Sequence, residues 1–376
     1  MEEKVNLKEL AKVFAKLGII GFGGPAAHIA LMRDEVIIKR KWMNEQHFLD
    51  LLGATNLIPG PNSTEMAIHI GYDKGGWKGL ITAGLCFILP AVFITGIFAL
   101  LYRNYGQLPE VQPFIYGIKP AIIAIIIGAV YPLARKSVKS VFLGYIGVVV
   151  ALAAVFGINE IYLMFGAGLL ALSLFYIQNK KSARCQSIIP LIFLQITHTT
   201  FWTATNAQLF WTFLKIGSIL YGSGYVLFAF LDTELVATGL LTRQQLMDAI
   251  AVGQFTPGPV FSSVTFIGFQ LNGLAGAVIS TIAIFLPSFV FVALLNPIMK
   301  KLRNSKGFST FLDAVNVASV AIIVAVCFEM AKETITDWRT ILIAVVSAII
   351  VLKFKRANSS FIILGGSLLG YILRIV

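Results

Sequence analysis

The residues that could do chemistry in this sequence lie in four short stretches rich in glycine, proline and small polar side chains. Gly23-Gly24-Pro25 and Pro59-Gly60-Pro61-Asn62-Ser63-Thr64 fall in the first half, and Gly222-Ser223-Gly224 and Pro257-Gly258-Pro259, with Ser262 and Ser263 after it, fall in the second. Each interrupts an apolar, helix-forming run. Proline removes a backbone donor and clashes with the preceding turn. A helix that stops there and restarts presents free N–H groups and about +0.5 of an elementary charge at its new N-terminus. That is an anion site needing no cationic side chain, and Asn62, Ser63, Thr64, Ser262 and Ser263 add small donors suited to oxyanion oxygens. The plainer explanation, that prolines kink helices and hydroxyls re-satisfy the freed carbonyls, accounts for any one of these prolines better than for the duplicated pattern.

Charged and titratable residues near these stretches divide into candidates for substrate contact and candidates for ion coupling or gating. Lys119 sits inside an apolar run before Pro120, which is costly unless it pairs or lines a pathway. It is either a substrate or gate contact or a lysine snorkelling to a boundary marked by Gln112 and Tyr116. Asp50 and Asp248 occupy equivalent places in the two halves. Glu65 follows Asn62 at capping-box spacing, so it either holds a helix start or carries a coupling proton. His28 and His69 could titrate during transport, although a lone membrane histidine more often hydrogen-bonds to structure. Arg33, beside Asp34 and Glu35, is expected to be paired at the end of the first segment. Lys16 and Lys215 are equivalent, as a shared functional pair or as interfacial anchors.

The elements that must hold these residues are membrane helices. Of 376 residues, 57% are hydrophobic and 13% charged, against about 25% charged in soluble domains. Apolar stretches recur from Leu10 to Val376, many reaching the ~20 residues that cross a hydrocarbon core. The net charge of +12 sits largely in short loops, where Lys and Arg set topology and meet anionic lipid, with no nucleic acid implied. The polar start, Met1 to Glu9, does not read as a cleavable signal. Cys86, Cys185 and Cys327 are far apart, and His28, His47, His69 and His198 lack metal spacing. There is no Walker loop and no nucleophile elbow. A non-enzyme without cofactor is expected, driven by an ion gradient or by the substrate's own.

Sliding the sequence on itself reveals a repeat of about 198 residues. Phe14-Ala-Lys16-Leu-Gly18 recurs as Phe213-Leu-Lys215-Ile-Gly217, Asp50 as Asp248, Pro59-Gly60-Pro61 as Pro257-Gly258-Pro259, and Leu89-Pro90 as Leu286-Pro287. The expected fold is an all-α integral membrane protein of two repeats, 1–178 and 207–376, joined by a basic linker over 179–206 in which 188–205 could form an extra membrane segment. Each repeat should hold a broken first helix, a re-entrant helical hairpin around Pro-Gly-Pro (44–58 with 62–71, and 242–256 with 260–271), and four spans. Those spans are expected at 76–101, 111–133, 140–156 and 159–178, then 273–297, 311–331, 338–353 and 358–374. Asn44 and Thr242 read as N-caps, with Gln245 closing a capping box. Basic residues mark one side through Lys74 and Lys78, Arg135 to Lys139 and Lys180 to Arg184, whereas the second half carries them in the alternate loops, Lys300 to Lys306 and Lys353 to Arg356. The halves are therefore expected to be inverted, with substrate near the midplane where the broken helices meet.

Phe22-Gly23-Gly24-Pro25, Leu57-Ile58-Pro59-Gly60-Pro61-Asn62 and Phe255-Thr256-Pro257-Gly258-Pro259 together resemble the chromate ion transporter family in its long, two-domain form, over essentially the whole chain. The resemblance implies a multi-pass protein of the cytoplasmic membrane that exports chromate and confers chromate resistance. It implies antiparallel halves, coupling to protons or another ion as in an antiporter, and sulfate as look-alike and competitor. It also implies that the first-half motifs weigh most. One departure is Gly222-Ser223-Gly224 where the first half has Gly-Gly-Pro, so the half-sites are not equivalent. The physical reading alone reaches a small oxyanion. An uncoupled anion channel stays open as the alternative, as does pairing into a homodimer.

Overall fold

The structure, a computed structural model, describes residues 5–22, 24–106, 108–178, 206–221, 224–295, 305–354 and 359–375. Gly23, Gly222, Ser223 and the 188–205 segment lie outside them. The described residues are mostly helical, with no strand among them. The first half runs α1 (Leu7–Ile20), α2 (Pro25–Arg33), α3 (Glu45–Thr55), α4 (Asn62–Tyr105), α5 (Gln112–Ser137), α6 (Val141–Val155) and α7 (Glu160–Gln178). The second runs α8 (Asn206–Ile219), α9 (Val226–Leu231), α10 (Arg243–Phe255), α11 (Ser263–Leu295), α12 (Lys306–Thr334), α13 (Trp338–Lys353) and α14 (Ser359–Ile375). The order repeats, helix for helix.

Local signals account for the boundaries. Asn44 accepts the His47 N–H at the start of α3, and Thr242 and Gln245 form a reciprocal capping box at the start of α10. Asn62 behaves differently from the cap expected of it. Pro61 holds the cap position of α4 without a side-chain bond, and the Asn62 amide reaches back to Asn56 Oδ1 at 3.0 Å. The capping-box role for Glu65 falls with it.

Two long helices are hairpins. Within α4, Gly76 takes φ 59° and ψ −148°, and within α11, Gly273 takes φ 59° and ψ −150°. Positive φ of this kind is strained for any side chain, so glycine marks the reversal. The arms then close so tightly that a Cβ on Gly71 would collide with the Gly79 carbonyl, and one on Gly268 with the Gly276 carbonyl. The expected short helices, 62–71 and 260–271, are thus the first arms of α4 and α11 rather than separate elements.

The second arms face lipid. Ile81, Leu85, Leu89, Phe93 and Ile97 on α4, and Val278, Ile282, Leu286, Val290 and Leu294 on α11, are exposed at four-residue spacing. An unbroken apolar stripe of this kind needs a hydrocarbon solvent. Among the described residues, five helical segments, 62–105, 112–137, 160–178, 260–294 and 306–334, are long and apolar enough to cross a membrane. Helix α6, at 15 residues, is shorter than the expected span.

Salt bridges fix the first segment of each half in the same way. Lys16 Nζ meets Glu35 at 2.6 Å and Lys215 Nζ meets Glu234 at 2.6 Å. The two lysines therefore share a structural pairing. Arg33 does not pair with Asp34 or Glu35 but makes a two-pronged bridge to Glu45, with both bonds at 2.7 Å. The equivalent bridge in the second half joins Arg243 to Asp232 at 2.9 and 3.2 Å, with the charges exchanged. Hydrogen bonding from Arg33 holds the Glu45 carboxyl below the usual carboxylate range.

Two outcomes are expected. Gly71→Ala or Gly268→Ala should lower the melting temperature of the detergent-purified protein, since overpacking costs about 1–3 kcal/mol. Gly365→Ala, with open space around it, should not. Arg33→Glu alone should reduce the yield of monodisperse protein, and adding Glu45→Arg should restore it, as measured by size-exclusion chromatography.

Candidate anion site

Both Pro-Gly-Pro turns are buried at the contact between the halves, and each is tied to the other half. Gly60 N–H donates to the Leu220 carbonyl at 2.7 Å, and Gly258 N–H donates to the Gly21 carbonyl at 2.7 Å. Leu220 and Gly21 are themselves equivalent, each capping the end of α8 or α1. Gly60 (φ 134°) and Gly258 (φ 86°) both need the conformational freedom of glycine. A side chain there would also collide, with Glu65 and Ser288 at Gly60 and with Ala91 at Gly258.

Around Gly60 the structure gathers buried polar groups without partners. Thr64 and Glu65 are 0% exposed, Ser63 2%, His69 1% and Ser288 0%. Thr64 Oγ1, both Glu65 oxygens, both His69 nitrogens and Ser288 Oγ make no hydrogen bond of good geometry. Glu65 and His69 stand one turn apart on the first arm of α4. Thr64 and Glu65 N–H bond back to the Pro61 carbonyl at 2.8 and 3.0 Å, so the N–H groups of Asn62 and Ser63 are those the helix start leaves over. Buried polar groups are normally satisfied. A cluster left open at a helix N-terminus is a place for a ligand that accepts hydrogen bonds.

The second half-site is poorer in polar groups. Ser263, the counterpart of Glu65, is buried and unpartnered, and Ser262 takes a hydrogen bond from Thr95 at 3.2 Å. Ala91 stands where the other half has Ser288. Gly24, with φ 82°, precedes Pro25 at the start of α2 and faces the Tyr225 hydroxyl of the second half, while Gly224 is buried against Val260 and Phe261. His28 Nε2 donates to the Gly21 carbonyl at 2.9 Å, a structural bond that packs α2 on the end of α1.

Lys119 and Asp248, distant in sequence, form one cluster. Lys119 Nζ lies 3.4 Å from Asp248 Oδ1, and the Tyr102 hydroxyl donates to Asp248 Oδ2 at 2.6 Å. Asp248 and Tyr102 line a cleft of about 360 Å³ between α5 and α10 with Gln112, Thr242 and Gln245, and Lys119 lines a second of about 280 Å³ that reaches Arg374. Asp50 is only half-buried and accepts from Gln46 at 3.3 Å. Most of α10 is buried, whereas in α3 only Phe48, Ala54 and Thr55 are. The equivalent acids therefore sit in unlike surroundings.

Sequence reasoning missed Ser288, Tyr102 and Tyr221. Ser288 could have been found, since it follows Pro287, half of the repeated Leu-Pro pair. Tyr102 carries no such signal.

Fold and site together define a multi-pass α-helical membrane protein with a polar centre built from broken helices of two repeats. The family model described as chromate transporter matches twice, over residues 8–172 and 207–371, and the chain belongs to that family. It is 33% identical to a probable chromate transport protein of Synechococcus elongatus, covering 92% of this chain and 89% of that one. It is 31% identical to a chromate transport protein of Cupriavidus metallidurans over 98% of this chain and 93% of that one. An uncharacterized transporter of Methanocaldococcus jannaschii is 27% identical over 96% and 92% of the two chains. No solved structure matches.

The Lys119–Asp248 pair yields a further expectation. Lys119→Met strands a buried carboxylate and should destabilise the protein more than the double variant Lys119→Met/Asp248→Asn. The coupling should be about 1–3 kcal/mol in a double-mutant cycle of detergent melting.

Proposed function

We propose that this chain is a secondary transporter that exports chromate, or a related tetrahedral oxyanion such as sulfate, across the cytoplasmic membrane with ion coupling. The substrate is held near the midplane by helix starts that follow the Pro-Gly-Pro turns. The observation that carries the reading is the buried, unpartnered set at Gly60: the start of α4 with Thr64, Glu65, His69 and Ser288. Chromate in particular rests on the named relatives and the family.

Inverted halves fit the packing. Along the second arm of α4, Ala91, Thr95, Ala99 and Arg103 meet Gly258, Ser262, Gln270 and Gly273 in rising order. The second arm of α4 thus runs parallel to the first arm of α11 and antiparallel to the arm that is its counterpart. Two repeats related in this way suit alternating access around a central site. In the same reading Lys119 and Asp248 guard the approach to that site from one side, and Asp50 holds the matching place on the other.

Reconstituted vesicles test the proposal. Chromate flux should saturate, respond to an imposed ion gradient and be competed by sulfate. Flux that ignores every gradient and appears as conductance would mark an uncoupled channel. Pro61→Ala and Asn62→Ala, which loosen the turn that sets the start of α4, should each lower chromate flux at normal protein levels.

A further inference from the structure

We propose that Glu65 acts at this site as a proton-bearing hydrogen-bond donor, and that its proton restricts the cargo to oxyanions carrying no proton of their own. The inference rests on the transport reading and deepens it by naming the substrate class.

Glu65 is wholly buried, and no Lys or Arg among the described residues pairs with it. The charged and titratable groups on the elements around it are engaged elsewhere or neutral. Lys16 of α1 is bound to Glu35, His28 of α2 to the Gly21 carbonyl, and His47 of α3 to Asp73. Asp248 of α10 is held by Lys119 and Tyr102. The loop after α8 brings Tyr221, α11 brings the Ser288 hydroxyl, and α4 itself brings His69. An ionised carboxylate in such a place would be an isolated buried charge, and such groups take up a proton instead.

The consequence for recognition is a site made of donors. Thr64, Ser288 and the leftover N–H groups of the helix start all give hydrogen bonds, and a protonated Glu65 gives one more. Chromate and sulfate dianions only accept. Hydrogen phosphate has the same shape but must also donate; a hydroxyl of Thr64 or Ser288, or a bare nitrogen of His69, that turns to accept from it no longer donates to one of its oxygens, and the remaining acceptor is Glu65 without its proton. In that form Glu65 would repel a dianion held at the same helix start. Phosphate therefore gives up a hydrogen bond donated to an anionic oxygen that chromate and sulfate keep.

Chromate uptake into vesicles holding the full chain decides the matter, with sulfate and phosphate as competitors from neutral to alkaline pH. In the wild type, sulfate should compete and phosphate should compete at least about tenfold more weakly. Wild-type flux should fall as pH rises, because deprotonation removes a donor and adds a negative charge. Glu65→Gln keeps a donor that cannot ionise. Its alkaline decline should vanish, whatever its flux at neutral pH. An alkaline decline in Glu65→Gln as steep as in the wild type, or phosphate competing as well as sulfate, overturns the inference. If that variant fails to insert, the wild-type competition series alone supports or refutes it. A wild type that moves chromate but does not discriminate phosphate leaves the transport reading standing without this inference. A wild type that moves neither chromate nor sulfate removes both.

Discussion

Backbone that leaves the helix inside a bilayer has no water to turn to, so its N–H and C=O groups must find partners within the protein. Here the central glycine of each Pro-Gly-Pro turn finds its partner in the opposite half: Gly60 on the Leu220 carbonyl and Gly258 on the Gly21 carbonyl. These two bonds satisfy four backbone groups at once, two donors within the turns and two carbonyls at the ends of α1 and α8. They also mean that neither half can complete its broken helices alone. The position of the α4 start, and of every polar group around Gly60, follows from that exchange.

Reciprocal backbone bonds do not make the two half-sites alike. Where the first half places Glu65 and, across the interface, Ser288, the second places Ser263 and Ala91. The backbone is duplicated and the side chains have diverged, which concentrates the hydrogen-bonding chemistry at one turn. The same divergence appears further out, where α10 is packed down through Asp248, Lys119 and Tyr102 while α3 buries fewer of its residues and leaves Asp50 half-buried. The bridge that anchors each hairpin shows what the fold requires. Arg33–Glu45 and Asp232–Arg243 span the same gap with their charges exchanged, so the need is for opposite charges at that distance rather than for a given residue at either end.

Much of this was legible in the sequence because membrane insertion imposes strong local signals. Apolar runs, the caps at Asn44 and Thr242, the paired turn motifs and the repeat are all read along the chain. One local reading failed, and one pairing was met by a partner distant in sequence. Glu65 resembled a capping-box residue by spacing alone, yet Pro61 takes the cap position and Asn62 turns to Asn56. Arg33 has acidic neighbours in sequence, yet the helical path carries them to other partners and brings Glu45 to it instead.

By itself the sequence determined the class of protein, the two repeats, and the places where helices break, since hydropathy, proline and glycine act over a few residues. Only the tertiary structure decided which polar groups share a space. The meeting of Lys119 with Asp248 and of Glu65 with Ser288 spans more than a hundred residues and depends on how two repeats interlock. The four motifs at which the chain first suggested chemistry thus resolve into one well-furnished turn, at Gly60, and a barer counterpart at Gly258. The physical reason is that a bilayer makes unpaired backbone costly everywhere, whereas side chains decide where a ligand is wanted.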